Sequence, residues 1–166
     1  MRLRPFIINK DFDEVKTWMT DERIHAMWSA NHFKYPIEKD DFKNVLSEFE
    51  NKFSETPFVA TADDGTILGF FGYSLNLETN EGLLGFVMIN PKLRGQGLGK
   101  QMLNLALDYA FKITKADAVQ LNVFLENTRA KKCYESIGFT ERNSTPNAFT
   151  YKDESWTRCN MIFNRK

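Results

Sequence analysis

The sequence has little of what several protein classes require. Only two cysteines and two histidines occur among its 166 residues. The cysteines form no CxxC pair and the histidines no HExxH motif, which disfavours a disulfide scaffold and a zinc site. No apolar run approaches the roughly 18 residues of a membrane span, and the N-terminus lacks the apolar stretch of a signal peptide. We therefore expect a cytoplasmic protein with no metal and no membrane contact.

The sequence also has no net charge, because 22 Lys and Arg residues balance 22 Asp and Glu residues. A protein that binds nucleic acid without sequence preference needs a basic excess, so we expect no nucleic-acid partner. Hydrophobic residues make up 42% of the chain and include 15 phenylalanines, enough to build a core. The length is typical of one domain, and we expect residues 1–166 to form it.

Hydrophobic periodicity predicts most of the secondary structure. Apolar spacing predicts a helix that begins within residues 9–13 and further helices at 21–28, 42–53, 98–114 and 128–137. Strand patterns occur at 3–8, 57–62, 67–77, 82–89, 118–125, from 139 onwards, and at 156–163. Several antiparallel strands thus precede a strand–helix–strand–helix unit. This order predicts an α/β (α+β) fold with a mixed sheet flanked by helices.

A glycine-rich loop joins the strand at 82–89 to the helix that begins at 98. Glycines let the backbone approach a ligand closely, and a helix N-terminus attracts negative charge, so the loop suits a diphosphate. It is not a P-loop, because Arg94 and Gln101 occupy positions that require Gly and Ser or Thr. It is not a dinucleotide fingerprint either, because Lys100 or Met102 stands where the third glycine belongs.

The spacing that fits is Arg-x-x-Gly-x-Gly, at Arg94, Gly97 and Gly99. Here the chain resembles the GCN5-related N-acetyltransferase (GNAT) superfamily. The resemblance covers residues 82–142 and continues in a downstream pattern formed by Asn127, Ala130, Tyr134, Gly138 and Phe139. It implies a single domain with a mixed, mostly antiparallel sheet of six to seven strands. The general layout is similar to the branch that acetylates protein N-termini (ribosomal proteins among them), polyamines or aminoglycosides, and no feature selects one acceptor.

The resemblance implies acetyl-CoA as the cosubstrate. The family binds its pantetheine arm along the strand before the loop, and its diphosphate on backbone N–H groups of the loop. Asn127 would bind an amide of the arm, or cap the following helix, and both roles could coexist. Carried over to this sequence, the acetyl-CoA site comprises Val87, Met88, Ile89, Arg94, Gly95, Gln96, Gly97, Leu98, Gly99, Lys100 and Asn127.

The reaction that the resemblance implies is direct attack of a primary amine on the thioester in a ternary complex. Tyr134 matches the family's general acid, which protonates the departing thiolate. Some relatives carry a Glu as base where this chain has Asn122, which cannot accept a proton. Glu78 and Glu81 are the candidate bases, Glu126 lies behind them, and a water relay is the other possibility. The alternative function is an acyl-CoA-binding sensor without turnover.

The acceptor site is less defined by the sequence. Trp28 and Trp156 stand near carboxylate residues, and aromatic rings beside carboxylates suit a cationic amine. The alternative for both tryptophans is core packing. We expect a small-molecule amine or a protein or peptide amine as acceptor, and the resemblance makes a homodimer plausible.

Overall fold

A computed structural model describes residues 1–165 of the chain. Its centre is one seven-stranded sheet in the order β1-β2-β3-β4-β5-β7-β6. Only β4 and β5 are parallel, and every other pair of neighbouring strands is antiparallel. The strands are β1 Arg2–Pro5, β2 Thr56–Thr61, β3 Ile67–Asn76, β4 Glu81–Ile89, β5 Ala118–Phe124, β6 Thr140–Tyr151 and β7 Glu154–Asn164. This confirms the predicted fold class and strand number.

Five α-helices flank the sheet. Two of them begin at side-chain caps, because Asp21 accepts a hydrogen bond from the Ile24 backbone N–H at 2.8 Å and Asn127 accepts one from that of Ala130 at 3.3 Å. The helices are α1 Ile8–Val15, α2 Glu22–Ser29, α3 Lys39–Phe53, α4 Leu98–Asp108 and α5 Thr128–Glu135.

The two faces of the sheet carry different helices. Side chains of successive strand residues point to opposite faces, and Phe70 and Phe71 of β3 accordingly belong to separate hydrophobic clusters. The cluster around Phe71 includes Met102 of α4 and Tyr134 of α5. The cluster around Phe70 includes residues of α1 and α3 and is joined by residues of α2. We call these the α4 face and the α3 face.

Several predicted boundaries differ from the structure, and two of the differences have a clear structural description. The first strand ends at Pro5 rather than residue 8, because buried Asp11 accepts the Ile7 backbone N–H at 2.8 Å and pairs with Arg4 at 2.7 Å. This arrangement starts a helix at Ile8. The helix predicted at 98–114 is α-helical only to Asp108 and ends in a π-helical turn, Tyr109–Ile113. Among residues 1–165, no helix is both long and apolar enough to cross a membrane.

Candidate active site

The parallel strands β4 and β5 separate at the centre of the sheet. They are paired from Glu81 opposite Ala118 to Leu84 opposite Leu121, and no further pair joins them. Beyond that point β4 stays paired with β3 as far as Ile89. From residue 85 to residue 89, a stretch that includes Val87, Met88 and Ile89, the edge of β4 that faces β5 therefore has no β5 partner. Such an edge can bind an extended ligand by main-chain hydrogen bonds.

We call the point where β4 and β5 separate, just after Leu84 and Leu121, the branch. A β-bulge lies in β4 directly after it. Phe70 is opposite Met88 and Gly72 is opposite Gly85, so two β4 residues, Phe86 and Val87, face Phe71 alone. Phe86 has a φ of 51°, which is uncommon for a bulky residue. A bulge bends its strand and redirects the backbone groups at that point. The bend therefore helps β4 to diverge from β5.

Trp28 of α2 holds this bulge in place. Its indole N–H donates a 2.7 Å hydrogen bond to the backbone oxygen of Phe86. The indole ring also stacks on Phe33 at 5.2 Å, with the two ring planes 9° apart. We call the gap between β4 and β5 beyond the branch the cleft. Trp28 is thus a packing residue at the edge of the cleft, and it positions the backbone of β4.

The glycine-rich loop stands where β4 ends and α4 begins. Gly95 and Gly97 have φ values of +85° and +74°, a region that glycine adopts at low cost, and no atom lies within 4 Å of a Cβ built on either residue. Gly97 caps α4 without a side chain. The first backbone N–H groups of α4, from Leu98 onwards, therefore have no partner within the helix. Free N–H groups at a helix N-terminus can bind an anion, and binding of a diphosphate here stays a prediction.

Three cations surround this helix N-terminus. Burial lowers the pKa of the Arg94 guanidinium, and the neighbouring charge of Arg129 lowers it further. Burial raises the pKa of the Cys133 thiol, and the charges of Lys100 and Arg129 partly oppose that change. In the part of the chain that the structure describes, Arg94, Lys100 and Arg129 form no salt bridge. The zero net charge thus conceals a local positive cluster that attracts a diphosphate.

Tyr134 of α5 lies on the α4 face, beside the branch. It is 7% exposed and belongs to the cluster that contains Leu84 and Leu121, the last pair before the strands separate. Burial raises the pKa of its hydroxyl, so the group stays protonated at neutral pH. Helix α5 packs on the first turn of α4, because the Cys133 Sγ lies 3.4 Å from the position of a Cβ on Gly99. The structure thus places Tyr134 near the loop.

Asn127 lies at the start of α5, just after β5. Its side-chain oxygen caps the helix, as one of the two roles considered for it requires. Contact between its amide and an acyl donor stays a prediction.

The structure does not bring Glu78 or Glu81 to the cleft. Glu78 is exposed in the turn between β3 and β4, and Glu81 stands at the start of β4, about 25 Å along the strand from Ile89. The Glu81 carboxylate pairs with Arg142 at 2.9 Å and accepts a hydrogen bond from Gln120 at 2.7 Å. Both residues lie on the wrong side of the branch for a base, and the geometry favours neither.

Trp156 also lies outside the cleft. Its relative exposure is 0%, and its ring stacks with those of Phe149 and Tyr151 at 5.4 and 5.3 Å. Its indole N–H donates to Glu154 at 2.9 Å. The ring packs among aromatic side chains of β5 and β6, so the structure favours the core-packing alternative.

The sequence analysis missed Glu55, which joins α3 to β2. This residue is only 3% exposed, and its carboxyl group lies on the α3 face over Gly72 and Gly85. Burial raises its pKa to about 7. The available signal was glycine within predicted strands, which often marks a close approach by another group.

The part of the chain within residues 1–165 contains no group of three or more His, Cys, Asp and Glu residues that could hold a metal ion. The groups that the structure brings towards the branch are backbone N–H groups of β4, the buried phenol of Tyr134 and the buried carboxyl group of Glu55. Groups of these kinds can form hydrogen bonds to an extended ligand and can exchange protons.

Comparison with solved structures shows where this architecture recurs. The crystal structure of spermidine N-acetyltransferase from Vibrio cholerae, in complex with CoA and spermine, superposes with a TM-score of 0.82. The two sequences are 22% identical, and the match covers 98% of this chain and 94% of that one. A dodecameric structure of spermidine N-acetyltransferase from the same organism has a TM-score of 0.77 at 21% identity. These likenesses show a shared fold.

Sequence comparison gives the family. Spermidine N(1)-acetyltransferase from Vibrio cholerae serotype O1 is 38% identical over 55 residues, which are 33% of this chain and 32% of that protein. The match thus spans about a third of that relative's length. The 5-NmdU N-acetyltransferase of Pseudomonas phage PaMx11 is 25% identical over 126 residues, 76% of this chain and 86% of that protein. A sequence model of the acetyltransferase (GNAT) family matches residues 14–139. The chain belongs to the acetyltransferase (GNAT) family.

Proposed function

We propose that this protein is an N-acetyltransferase that moves the acetyl group of acetyl-CoA to a primary amine by direct attack in a ternary complex. The observation that carries this proposal is the branch between β4 and β5, which opens towards the glycine-rich loop. A free strand edge and an anion site at its end match the two parts of acetyl-CoA, an extended amide arm and a diphosphate. Family membership supports the same reaction.

The acyl donor would bind through backbone groups. The free edge of β4 at Val87, Met88 and Ile89 would pair with the amides of the pantetheine arm, as an added strand does. The N–H groups from Gly95 to Lys100 would hold the diphosphate, and the cations around them would add Coulomb attraction. Asn127 would donate its side-chain amide to the arm while its oxygen caps α5. The residues present fit the group, since the loop has open space where a side chain would stand.

The chemistry would depend on a proton donor for the leaving group. The amine nitrogen bonds to the thioester carbon, the C–S bond breaks, and the sulfur leaves as a thiolate. Tyr134 would supply the proton, because its buried hydroxyl is held protonated at neutral pH. The bulged backbone beyond Gly85 would aim an N–H at the carbonyl oxygen, where negative charge develops.

A small-molecule amine is the acceptor class that we propose, because one relative is named for spermidine and a structural neighbour was crystallised with spermine. We also propose that copies of the chain associate, since a structural neighbour forms a dodecamer. Cys133 and Cys159 are free thiols, which fits the reducing cytoplasm that we propose as the location.

A thiol-release assay with acetyl-CoA tests the function. The acceptor panel comprises spermidine, an aminoglycoside, free amino acids and a short peptide with a free N-terminus. We expect saturable thiol release with at least one small amine. Binding of acetyl-CoA without release for any amine would favour the sensor without turnover, and no binding of acetyl-CoA would overturn the proposal.

A further inference from the structure

Glu55 has a buried carboxyl group without a partner. Within residues 1–165, its Oε1 atom is inaccessible to solvent and accepts no hydrogen bond. A buried carboxyl group that lacks such bonds is costly to the fold, so its presence needs an explanation. Burial alone raises its pKa, and no charged side chain of α3, β2, β3 or β4 offsets that effect.

The carboxyl group lies at the branch of the sheet. Its Oε2 atom is 3.2 Å from the position of a Cβ on Gly85, and its Oε1 atom would collide with a Cβ on Gly72. Gly72 and Gly85 are partners in neighbouring strands. Gly85 is the first residue of β4 beyond the last pair with β5. Two strand glycines thus leave room for this one carboxyl group where the cleft opens.

Glu55 and Tyr134 approach the branch from opposite sides. Phe71 and Tyr73 point to the α4 face, where Tyr134 lies. Gly72 lies between Phe71 and Tyr73 in β3, so a side chain at Gly72 would point to the opposite face, the α3 face. A thioester held between β4 and β5 would therefore have a phenol on one side and a carboxyl group on the other. With an acid on one side of the reacting group and a base on the other, the acid can protonate the leaving group and the base can deprotonate the nucleophile.

We propose that Glu55 binds the ammonium group of the acceptor and takes one of its protons. The proposal rests on the function proposed above. A positive amine would supply the ionic partner that the carboxylate lacks. One N–H proton moves to a Glu55 oxygen, the freed lone pair forms the C–N bond, and the C–S bond breaks. A second nitrogen proton replaces the one that Tyr134 gives to sulfur, and Glu55 returns its proton to water.

His25 and His32 are other titratable groups on this side of the sheet. Burial lowers the pKa of the His25 ring, whose neighbour Trp28 packs on Phe86, and Asp41 and Glu22 partly oppose that change.

The His32 ring contacts Phe49 and Phe86 edge-on, at 5.1 and 6.1 Å between ring centroids. Loss of water around the ring lowers its pKa, and Glu48 partly opposes that change. His32 is therefore neutral at pH 7 and above, where the rate is compared.

The test measures the pH dependence of kcat/KM for the panel amine that releases thiol fastest. For the unaltered protein we expect kcat/KM to rise through about pH 7 and then level off, because Glu55 ionises there and the ammonium form is used. For Glu55→Gln we expect a loss of about 100-fold at pH 7. Its kcat/KM should keep rising about tenfold per pH unit towards the amine's own pKa, since the variant must use neutral amine.

Glu50→Gln is the matched control, because Glu50 is exposed on α3 five residues earlier. It should leave the pH profile unchanged. Glu55→Asp keeps a carboxylate but withdraws it from the branch, so it should retain the plateau at a lower rate. Calorimetry with acetyl-CoA should give Glu55→Gln and the unaltered protein the same Kd within about twofold, which also shows that the variant folds.

An infrared titration gives a readout that does not depend on turnover. The protonated-carboxyl band that disappears in Glu55→Gln should titrate near pH 7, and the same panel amine, added with CoA, should lower its midpoint. A plateau that persists in Glu55→Gln, or a midpoint that the amine does not move, would overturn the role of Glu55. Failure of acetyl-CoA to bind the unaltered protein would overturn the proposed function instead.

Discussion

The side chains of Glu55 and Tyr134 lie on opposite faces of the sheet, at the point where β4 and β5 separate. Glu55 stands over Gly72 and Gly85 on the α3 face, and Tyr134 belongs to the same buried cluster as Leu84 and Leu121 on the α4 face. Burial raises the pKa of both groups. A cleft with a proton donor on one side and a proton acceptor on the other suits transfer between an amine and a thioester.

Replacing Tyr134 by Phe should lower turnover about 100-fold and leave the acetyl-CoA Kd nearly unchanged, because only the donated proton is lost. Thiol release and calorimetry measure the two quantities. Tyr109→Phe is the control, since Tyr109 packs between Phe58 and Tyr73 and should tolerate the change. Normal turnover in Tyr134→Phe would remove the phenol from the mechanism.

A carboxylate in the glycine-rich loop should repel the diphosphate. Gly97 has a φ of +74°, which Asn and Asp tolerate better than other side chains. Gly97→Asp and Gly97→Asn therefore share any backbone strain and differ in charge. We expect Gly97→Asp to bind acetyl-CoA at least about tenfold more weakly than Gly97→Asn at low ionic strength, with the difference shrinking in salt. Equal affinities would place the diphosphate elsewhere.

Glu55 should make stability fall as pH rises. The folded pKa of about 7 lies above the ordinary glutamate pKa of 4.5, so between these values the folded chain holds a proton that the unfolded chain releases. The free energy of unfolding should decrease by about 3 kcal/mol from about pH 4.5 to about pH 7, and then stay constant for this group. Glu55→Gln should lack this decrease.

Urea denaturation of both proteins across this pH range measures the effect. The informative quantity is the change with pH in the stability difference between Glu55→Gln and the unaltered chain, because the fixed cost of a buried amide cancels. A stability difference that does not change with pH would mean that the carboxyl group is solvated.

Trp28→Phe should loosen the bulge in β4. The substitution keeps an aromatic ring against Phe33 but removes the 2.7 Å hydrogen bond to the Phe86 oxygen. A partly buried carbonyl without its donor costs about 1–3 kcal/mol, so the melting temperature should fall. Trp18→Phe also loses an indole hydrogen bond, to Glu14 at 3.1 Å, away from the branch. Only Trp28→Phe should lower kcat; equal kcat values in the two variants would contradict a positioning role.

The sequence predicted the parts of the fold that depend on local pattern. Apolar spacing predicted most helices and strands because most of them bury a regular face, and the loop spacing at Arg94, Gly97 and Gly99 led to the family. Boundary differences arose from contacts between distant residues, such as Arg4 with Asp11. Such a contact does not appear in the apolar periodicity of the sequence.

The branch, the bulge and Glu55 were beyond the reach of local pattern. The branch depends on where β4 stops pairing with a strand more than 30 positions later, and the bulge on the register with β3. Glu55 resembles a solvated loop residue until Gly72 and Gly85 are brought beneath it. Trp156 shows the opposite case, since an aromatic ring beside acidic residues proved to be fully buried.

Calorimetric titration of the folded protein with acetyl-CoA, beside ATP and NAD, tests the central claim most directly. The free edge of β4 and the anion site at α4 predict saturable binding of one acetyl-CoA per chain, which neither nucleotide displaces. A folded sample that gives no saturable heat with acetyl-CoA, or one in which ATP or NAD displaces it, would contradict the account.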